Sequence, residues 1–528
     1  MIKLAPPRAD EWSGGTVQLL GTRTVITGIT TAAVCRIEYL PIGHTLTVSA
    51  RVRSAKKCAV TVAETYHLIP ANTPTTVEAT FTCGASFEIT IAGANRVELE
   101  NLTITDPVHI PAEPYPAHVL SLQAYFPLIG ALGARFDHSR FNRDAYSHGV
   151  PHHSAAMFNE SLWDTKRFYS ENLTHDWQDI TAPVTSLSVT RGVTNRGPIF
   201  AAEVGILTIS AAGGLDPREL GLTYGAPVRL VYWPDRVPVF TGNLTSQSIE
   251  FQPPRSATPY YNVTLTASDA VARLAQITRH GARVDASNAP EPWVRRIERL
   301  MRSAPDVAYS TPSSSYVDMC PSVWETNLAK HIDAACASVG GMWWVSRNNI
   351  VNISAARPST TAAITLSDAE DTDLQQRRWS YTASDTKWDS GETIASITVT
   401  NHGMKIENGD LRADDATTVV TDPTASTAWN GTNAAVDMTL SAGVEQAARS
   451  LLRRATELPV PSRVTIEPSH RSGPKNRLDH MSAAAVLDPL TSASVATRGD
   501  AHSTVITRIS HSITPRTWKT ALTLVANR

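Results

Sequence analysis

The chain has 528 residues, 42% hydrophobic and 18% charged, with a formal net charge of −2. That length exceeds a single domain and predicts roughly three to five. The near-neutral balance excludes a global basic field for nucleic acid or anionic membrane and favours electrically neutral assembly surfaces.

Residues 1–110 predict an all-β unit. Apolar and polar residues alternate over 44–53, 58–63, 75–82, 86–92 and 97–105, with Gly, Pro and Asn turns between them. Short strands at that spacing indicate a β-sandwich. Cys35, Cys58 and Cys83 fall on these segments, and Cys320 and Cys336 complete a set of five without a C-x-x-C pair. An odd, sparse set predicts buried free thiols in a reducing cytosol rather than a disulfide framework. The opening residues Met1 to Arg8 carry no apolar signal core, and no stretch has the length of a membrane span.

Pro107, Pro111, Pro114 and Pro116 mark a boundary. Residues 111–175 then predict an irregular linker or excursion, rich in His, Phe, Tyr and Asn. Residues 176–285 return to strict alternation at 185–192, 202–210 and 227–233. A long strand over 237–251, a polar turn and a return strand over 261–267 complete a small barrel or curled sheet. A helix follows over 268–277, with Ser268 as its N-cap and Val271, Leu274 and Ile277 on one face.

Residues 286–360 predict a mixed α/β domain. Helices are expected over 291–302 and 324–339, the second stopped by Gly340 and Gly341. A hairpin over 342–353 turns at Asn348 and Asn349. Residues 361–528 carry a strand over 393–400, a polar exposed loop over 408–427 and a helix over 441–458. That helix buries Val444, Ala447, Ala448, Leu451 and Leu452. The chain ends in strands over 503–514 and 519–525. They repeat the 237–251 and 261–267 pattern: a long strand, a short polar turn and an antiparallel return, with apolar and hydroxyl residues alternating. One face of each unit is therefore directed to a core and the other to solvent. A scaffold repeated in one chain points to assembly more than to catalysis.

Several of these segments together carry a resemblance. Residues 176–285 contain Trp177-Gln-Asp-Ile-Thr181, Val189-Thr-Arg-Gly192, Glu203-Val-Gly-Ile-Leu-Thr-Ile209, Asp216-Pro217, Gly225-Ala-Pro-Val-Arg-Leu230 and Phe240-Thr-Gly242. They resemble the first barrel domain of phage tail hub proteins. The end of the chain, with His511-Ser-Ile-Thr-Pro515 and Trp518-Lys-Thr-Ala-Leu-Thr-Leu524, is similar to the C-terminus of minor tail proteins of phages infecting actinobacteria. The resemblance covers residues 176–528. It implies a homotrimer at the distal end of the tail tube, in which three subunits present six tube-like barrels and adapt sixfold to threefold symmetry. It implies a tail-tip location, with the tail tube, a distal tail protein, the tape measure and tail fibre or tip proteins as partners. DNA would meet the protein only in transit, and a lumen without a basic stripe is expected because phosphate contacts would slow passage. The implied fold class is mainly β and multidomain: an N-terminal jelly-roll-like sandwich, two tube-like barrels and a small mixed α/β domain.

The sandwich is similar in outline to carbohydrate-binding jelly-roll modules, above all in its closing segment 96–106. The alternative function is therefore an adhesin that recognises a host surface glycan. Its candidate aromatic platforms are Trp12, Tyr39, Tyr66, Phe81 and Phe87; a structural docking role is the stronger expectation for this domain.

Enzymatic chemistry is not expected. His148, His152 and His153 form a cluster, but neighbouring histidines on a strand point to opposite faces and no Cys or carboxylate pair stands at ligand spacing. Asp410, Asp414 and Asp415 fail the calcium-loop pattern, since Arg412 stands where an oxygen ligand is needed. No H-E-x-x-H, Cys/His or G-x-S-x-G signature supports a cell-wall hydrolase. Gly213-Gly214 and Gly340-Gly341 read as turns, not phosphate loops. Trp233, Trp343, Trp344, Trp379 and Trp518 read as core or subunit-interface anchors. No residue is assigned as catalytic, cofactor-binding or metal-ligating, and none is assigned to a ligand.

Overall fold

A computed structural model describes residues 2–84, 86–106, 119–126, 176–179, 184–194, 200–212, 222–252, 260–280, 289–312, 317–368, 378–386, 394–408, 410–422, 432–454, 460–467, 474–497 and 500–527. The chain is mainly β and multidomain. It parts into two compact units: Met1–Pro183 with Gly214–Pro238, and Val184–Gly213 with Val239–Arg528.

The first unit contains the sandwich. One sheet runs Thr16–Leu20, Arg23–Thr27, Arg96–Asp106, Thr45–Ser54, Thr75–Thr82, with Ile2–Leu4 paired to Arg96–Asp106. The other runs Trp12–Ser13, Ala32–Glu38, Ser86–Ala92, Cys58–Val62, Thr65–Ile69. The period-two pattern does what it predicts: Ile26, Ile37, Leu46, Val52, Ile91 and Val97 are fully buried while the alternate residues face out. Cys35, Cys58 and Cys83 are buried free thiols. Within the expected irregular excursion, Leu120–Phe126 is instead a strand, paired with Pro227–Tyr232 on one side and Asp176–Asp179 on the other. His148, His152, His153, Phe158 and Phe168 lie outside the described residues.

The same unit fixes the sandwich to its later segment through polar side chains. Arg236 is fully buried and every guanidinium nitrogen donates: Nε to Ala5 O at 3.0 Å, Nη1 to Glu11 Oε1 at 3.0 Å, and Nη2 to Pro6 O and Glu11 Oε2 at 3.0 and 3.1 Å. Arg229 donates to Gln123 Oε1 at 2.7 Å and lies over the rings of Trp177 and Tyr39, 4.1 and 4.9 Å from their centroids. Gln123 in turn donates to Leu40 O at 3.1 Å. His44 Nδ1 is 2.6 Å from the buried carboxylate of Asp106, and its ring meets Trp233 edge-on.

The second unit is built on one continuous sheet in the order Val237–Gln252, Tyr260–Ser268, Ala201–Ala212, Val184–Thr194, Asp500–Ile513, Ser492–Thr497, Ile364–Ser367, Arg378–Ser380. Trp518–Ala526 pairs with Asp500–Ile513 and Pro461–Ile466. The two hairpins read as a repeat are thus members of the same sheet. Their likeness extends to a defect. The ladder of Val237–Gln252 with Tyr260–Ser268 skips Thr245, and that of Asp500–Ile513 with Trp518–Ala526 skips Thr507. In each bulge the extra residue is a threonine whose hydroxyl donates across the ladder, Thr245 to Thr266 O and Thr507 to Thr523 O, both at 3.2 Å.

Helices Ala270–Gln276, Trp293–Met301, Leu328–Val339 and Val444–Arg454 pack around Trp293, Trp343, Ile332 and Leu451. The first is capped by Asp269, not Ser268, because Ser268 is still held in the ladder against Ile206 and Asn243. The third begins at Leu328, since Glu325–Asn327 pairs as a strand with Thr278–His280 and Asn327 Oδ1 accepts from Lys330 N. Gly340 ends it at φ 64°, and Asn349 turns the following hairpin at φ 63°. The expected helix over 441–458 is described as Val444–Arg454. Pro474–Ala485 is a further helix within 361–528, beyond the one expected there. Residues expected as a polar loop form the strand Asp410–Thr421, paired along its whole length with Ile394–Glu407.

Candidate functional site: a hydroxyl-lined sheet face

Alternation along six adjacent strands of the second unit puts their apolar residues into the core. Leu187, Val189, Leu207, Ile209, Leu244, Val263, Leu265, Ile509, Ile513, Trp518 and Leu522 are all buried. The opposite face is aligned by cross-strand register. One row runs Ser246, Thr266, Thr208, Ser188, Ser512 and ends at Lys519. The next runs Ser248, Thr264, Ser210, Ser186. On the other side a third runs Ser268, Ile206, Thr190, Ser510, Ala521. These residues are exposed or half-buried.

Hydroxyls dominate the surface, and fixed charge is confined to its margins. Glu203 and Arg508 neutralise each other in an ion pair. Both stand opposite Gly192, one on each neighbouring strand. A Cβ on Gly192 would lie 2.7 Å from Thr507 O and 3.1 Å from Arg508 Cβ. The missing side chain therefore lets the flanking strand approach and leaves room for the pair to meet.

Beneath the face, buried polar groups hold the sheet to its supports. Arg191 donates to Asp488 Oδ1 and to Leu487 O, both at 2.7 Å. Arg347 also donates to Asp488, from its backbone N to Oδ1 and from Nη1 to Oδ2, both at 2.8 Å. His511 Nδ1 lies 3.2 Å from the Trp518 indole N–H and 3.0 Å from the Thr520 hydroxyl. The indole can only donate, so Nδ1 is the acceptor and the ring proton sits on Nε2. Full burial, helped by the charge of Arg191, lowers the His511 pKa to about 3. Asp269 accepts from Val271 N at 3.1 Å, and burial raises its carboxyl to about 7. Gly205 makes room for it: a Cβ there would lie 2.5 Å from Asp269 Oδ2.

The other sequence candidates are scattered. Among the described residues no three His, Cys, Asp or Glu side chains are grouped to hold a metal ion. Asp410, Asp414 and Asp415 stand on the paired strand, where Asp415 lies 3.1 Å from His402 Nδ1 and Asp437 lies 3.0 Å from its Nε2. His402 also stacks on Trp324 with centroids 3.9 Å apart. Gly340 and Gly341 serve helix termination and a close strand approach; Gly213 and Gly214 lie outside the described residues. Trp233, Trp343, Trp379 and Trp518 are buried, and Trp344 is half-buried. Of the aromatic platforms, Trp12 and Phe87 are buried, Phe81 packs edge-on against Phe87, and Tyr39 lies under Arg229. Tyr66 is open to solvent. No described helix is long and apolar enough to cross a membrane.

No protein-family model and no curated protein matches the chain. Among solved structures it is similar to the tail protein from Neisseria meningitidis MC58, at 14% identity and a TM-score of 0.43 over 67% of this chain and 94% of that one. It is similar to the 43 kDa tail protein of prophage MuSo2 from Shewanella oneidensis, at 11% identity and a TM-score of 0.42 over 67% and 96%. A mannan-binding module from Man5C matches at 18% identity and a TM-score of 0.14, over 18% of this chain and 91% of the module. Identities and superpositions of this size establish no common family.

Proposed function

We propose that the chain is a structural hub protein at the distal end of a phage tail tube, acting as a trimer. The observation that carries this reading is the duplicated hairpin with its matched threonine bulge, both copies contributing to one sheet with a neutral hydroxyl face. Two like units per subunit give six around a threefold axis, the arrangement needed to meet a sixfold tube. The hydroxyl rows are turned to the lumen in this reading. Serine and threonine stay hydrated there and offer a passing polyanion no ammonium or guanidinium to hold it. Tape measure and DNA pass along this face; the tail tube and a distal tail protein meet the ring from above, and tail fibre or tip proteins from outside. The role is mechanical, without a catalytic residue.

Native mass spectrometry with negative-stain imaging tests the assembly. A threefold ring of three chains is the expected result. A dimer, or a compact particle without a central opening at concentrations where tails assemble, contradicts it.

A further inference from the structure

The turns at one end of the sandwich carry cations and no carboxylate. At one end meet residues 28–31, 54–58, 70–74 and 93–95. Asn72 N donates to Ser54 O at 2.8 Å, and Ile29 N to Asn95 O at 3.3 Å. Ser54 Oγ donates to Arg96 O and accepts from Lys56 N, both at 3.3 Å. None of the four turns contains a carboxylate. Arg53, Lys56, Lys57 and Arg96 are exposed around them. Arg96 reaches Glu98 at 2.8 Å, and that side chain is shared with Arg23 at 3.6 Å. Among the described residues Arg53, Lys56 and Lys57 have no carboxylate within ion-pair distance.

The opposite end is the attached one. Tyr39, Leu40 and His44, which meet Arg229, Gln123 and Trp233, lie there, while Ala5, Pro6 and Glu11, which hold Arg236, precede Trp12, paired with Cys35 midway along its sheet. The ten-residue strand Thr45–Ser54 separates the two ends by about 30 Å. Lys56 and Lys57 therefore stand on a turn, with Arg53 and Arg96 at the adjoining strand ends, away from these contacts.

We propose that this end of the sandwich binds an anionic polymer whose phosphodiester charges are spaced along a flexible chain. Compactness argues for that class over duplex nucleic acid. Lys56 and Lys57 occupy one turn with Arg53 and Arg96 at the strand ends beside it, and the adjoining sheet face continues not as a basic stripe but as the ion-paired rows of Arg23, Glu98 and Glu100, with Glu98 opposite Arg53. A duplex presents an unbroken line of charge that such a patch cannot follow. The site is independent of the hub reading, since it needs neither the ring nor the second unit.

The test is binding of the full chain to soluble poly(glycerol phosphate) by titration calorimetry. Wild type is expected to bind at 50 mM salt and to weaken about 20- to 100-fold at 200 mM, as three or four counterions are released. Exchanging two cations, K56Q with K57Q, should weaken binding at least tenfold at 50 mM without shifting the melting temperature. The charge-matched pair K405Q with R412Q on the second unit should leave it unchanged. Absence of binding at 50 mM overturns the proposal, as does equal loss in both double variants. Tighter binding of duplex DNA at equal phosphate assigns the patch to nucleic acid instead. Equal competition by inorganic phosphate reduces it to a single-anion site and removes the polymer.

Discussion

At the residue scale, buried charges decide what can be altered. Arg236 is fully buried and its only carboxylate partner among the described residues is Glu11. Glu11→Gln should lower the stability of the first unit by about 3–5 kcal/mol, the cost of stranding a buried charge, as read by urea denaturation. For the same reason, deleting residues 1–110 would expose the Arg236 site and disturb the remaining fold. Two titrating groups act in opposite senses. The Asp269 carboxyl is raised from 3.8 to about 7. The folded state thus holds this proton more tightly; its contribution is complete below pH 3.8 and is lost as pH rises through 7. Asp269→Asn keeps the carbonyl acceptor for Val271 N and should gain stability relative to wild type between pH 5 and 8. His511 is lowered from 6.5 to about 3, so its contribution is present above pH 6.5 and is lost as pH falls through 3. His511→Gln should gain relative to wild type on going from pH 8 to pH 4. Melting curves across pH check both; parallel curves for variant and wild type would refute either.

At the element scale, the threonine bulges set which side of each hairpin faces the core. Deleting Thr507 would close the bulge without changing the pairs on either side of it, Ile506 with Leu524 and Arg508 with Thr523, and would remove the local bend and extra twist of the strand. That deletion should leave the second unit folded but cost more than the loss of the Thr507 hydroxyl alone, since the bend goes with it. Thr507→Val loses one cross-ladder hydrogen bond and should cost about 1 kcal/mol. Circular dichroism and urea melts separate the two outcomes. Legibility follows the same physics. The sandwich strands and both hairpins could be read because one face of each is buried and the alternation is regular outside the bulges at Thr245 and Thr507. Asp410–Thr421 could not: residues 412–417 are exposed on both faces, so no period of two is written into them, and the strand exists through its pairing with Ile394–Glu407. Pro474–Ala485 escaped because its buried face includes Arg477 and His480, which break the apolar stripe. The hydroxyl alternation was visible strand by strand. Its alignment into rows depends on register between segments as distant in sequence as Ser188 and Ser512, which no local pattern records. The Arg53, Lys56 and Lys57 run was likewise present in the sequence, but the acid-free turns beside it come together only in the fold.

At the scale of the whole molecule, a surface of serine and threonine rows is an economical lining for a conduit. It stays wet, carries no net field and has no large apolar patch to trap an unfolded passenger. Adding charge should then matter more than removing hydroxyls. Ser188→Lys together with Thr208→Lys would place two cations in the central row of each subunit. Assembly is expected to survive, since both positions face solvent, while DNA ejection slows; Ser188→Ala with Thr208→Ala should leave ejection unchanged. The most direct measurement is a cryo-electron microscopy map of the assembled ring. The account predicts three copies, with the row from Ser246 through Thr208 and Ser188 to Ser512 lining the central channel. A ring in which those rows face outward, or lie buried against a neighbouring subunit, would contradict it.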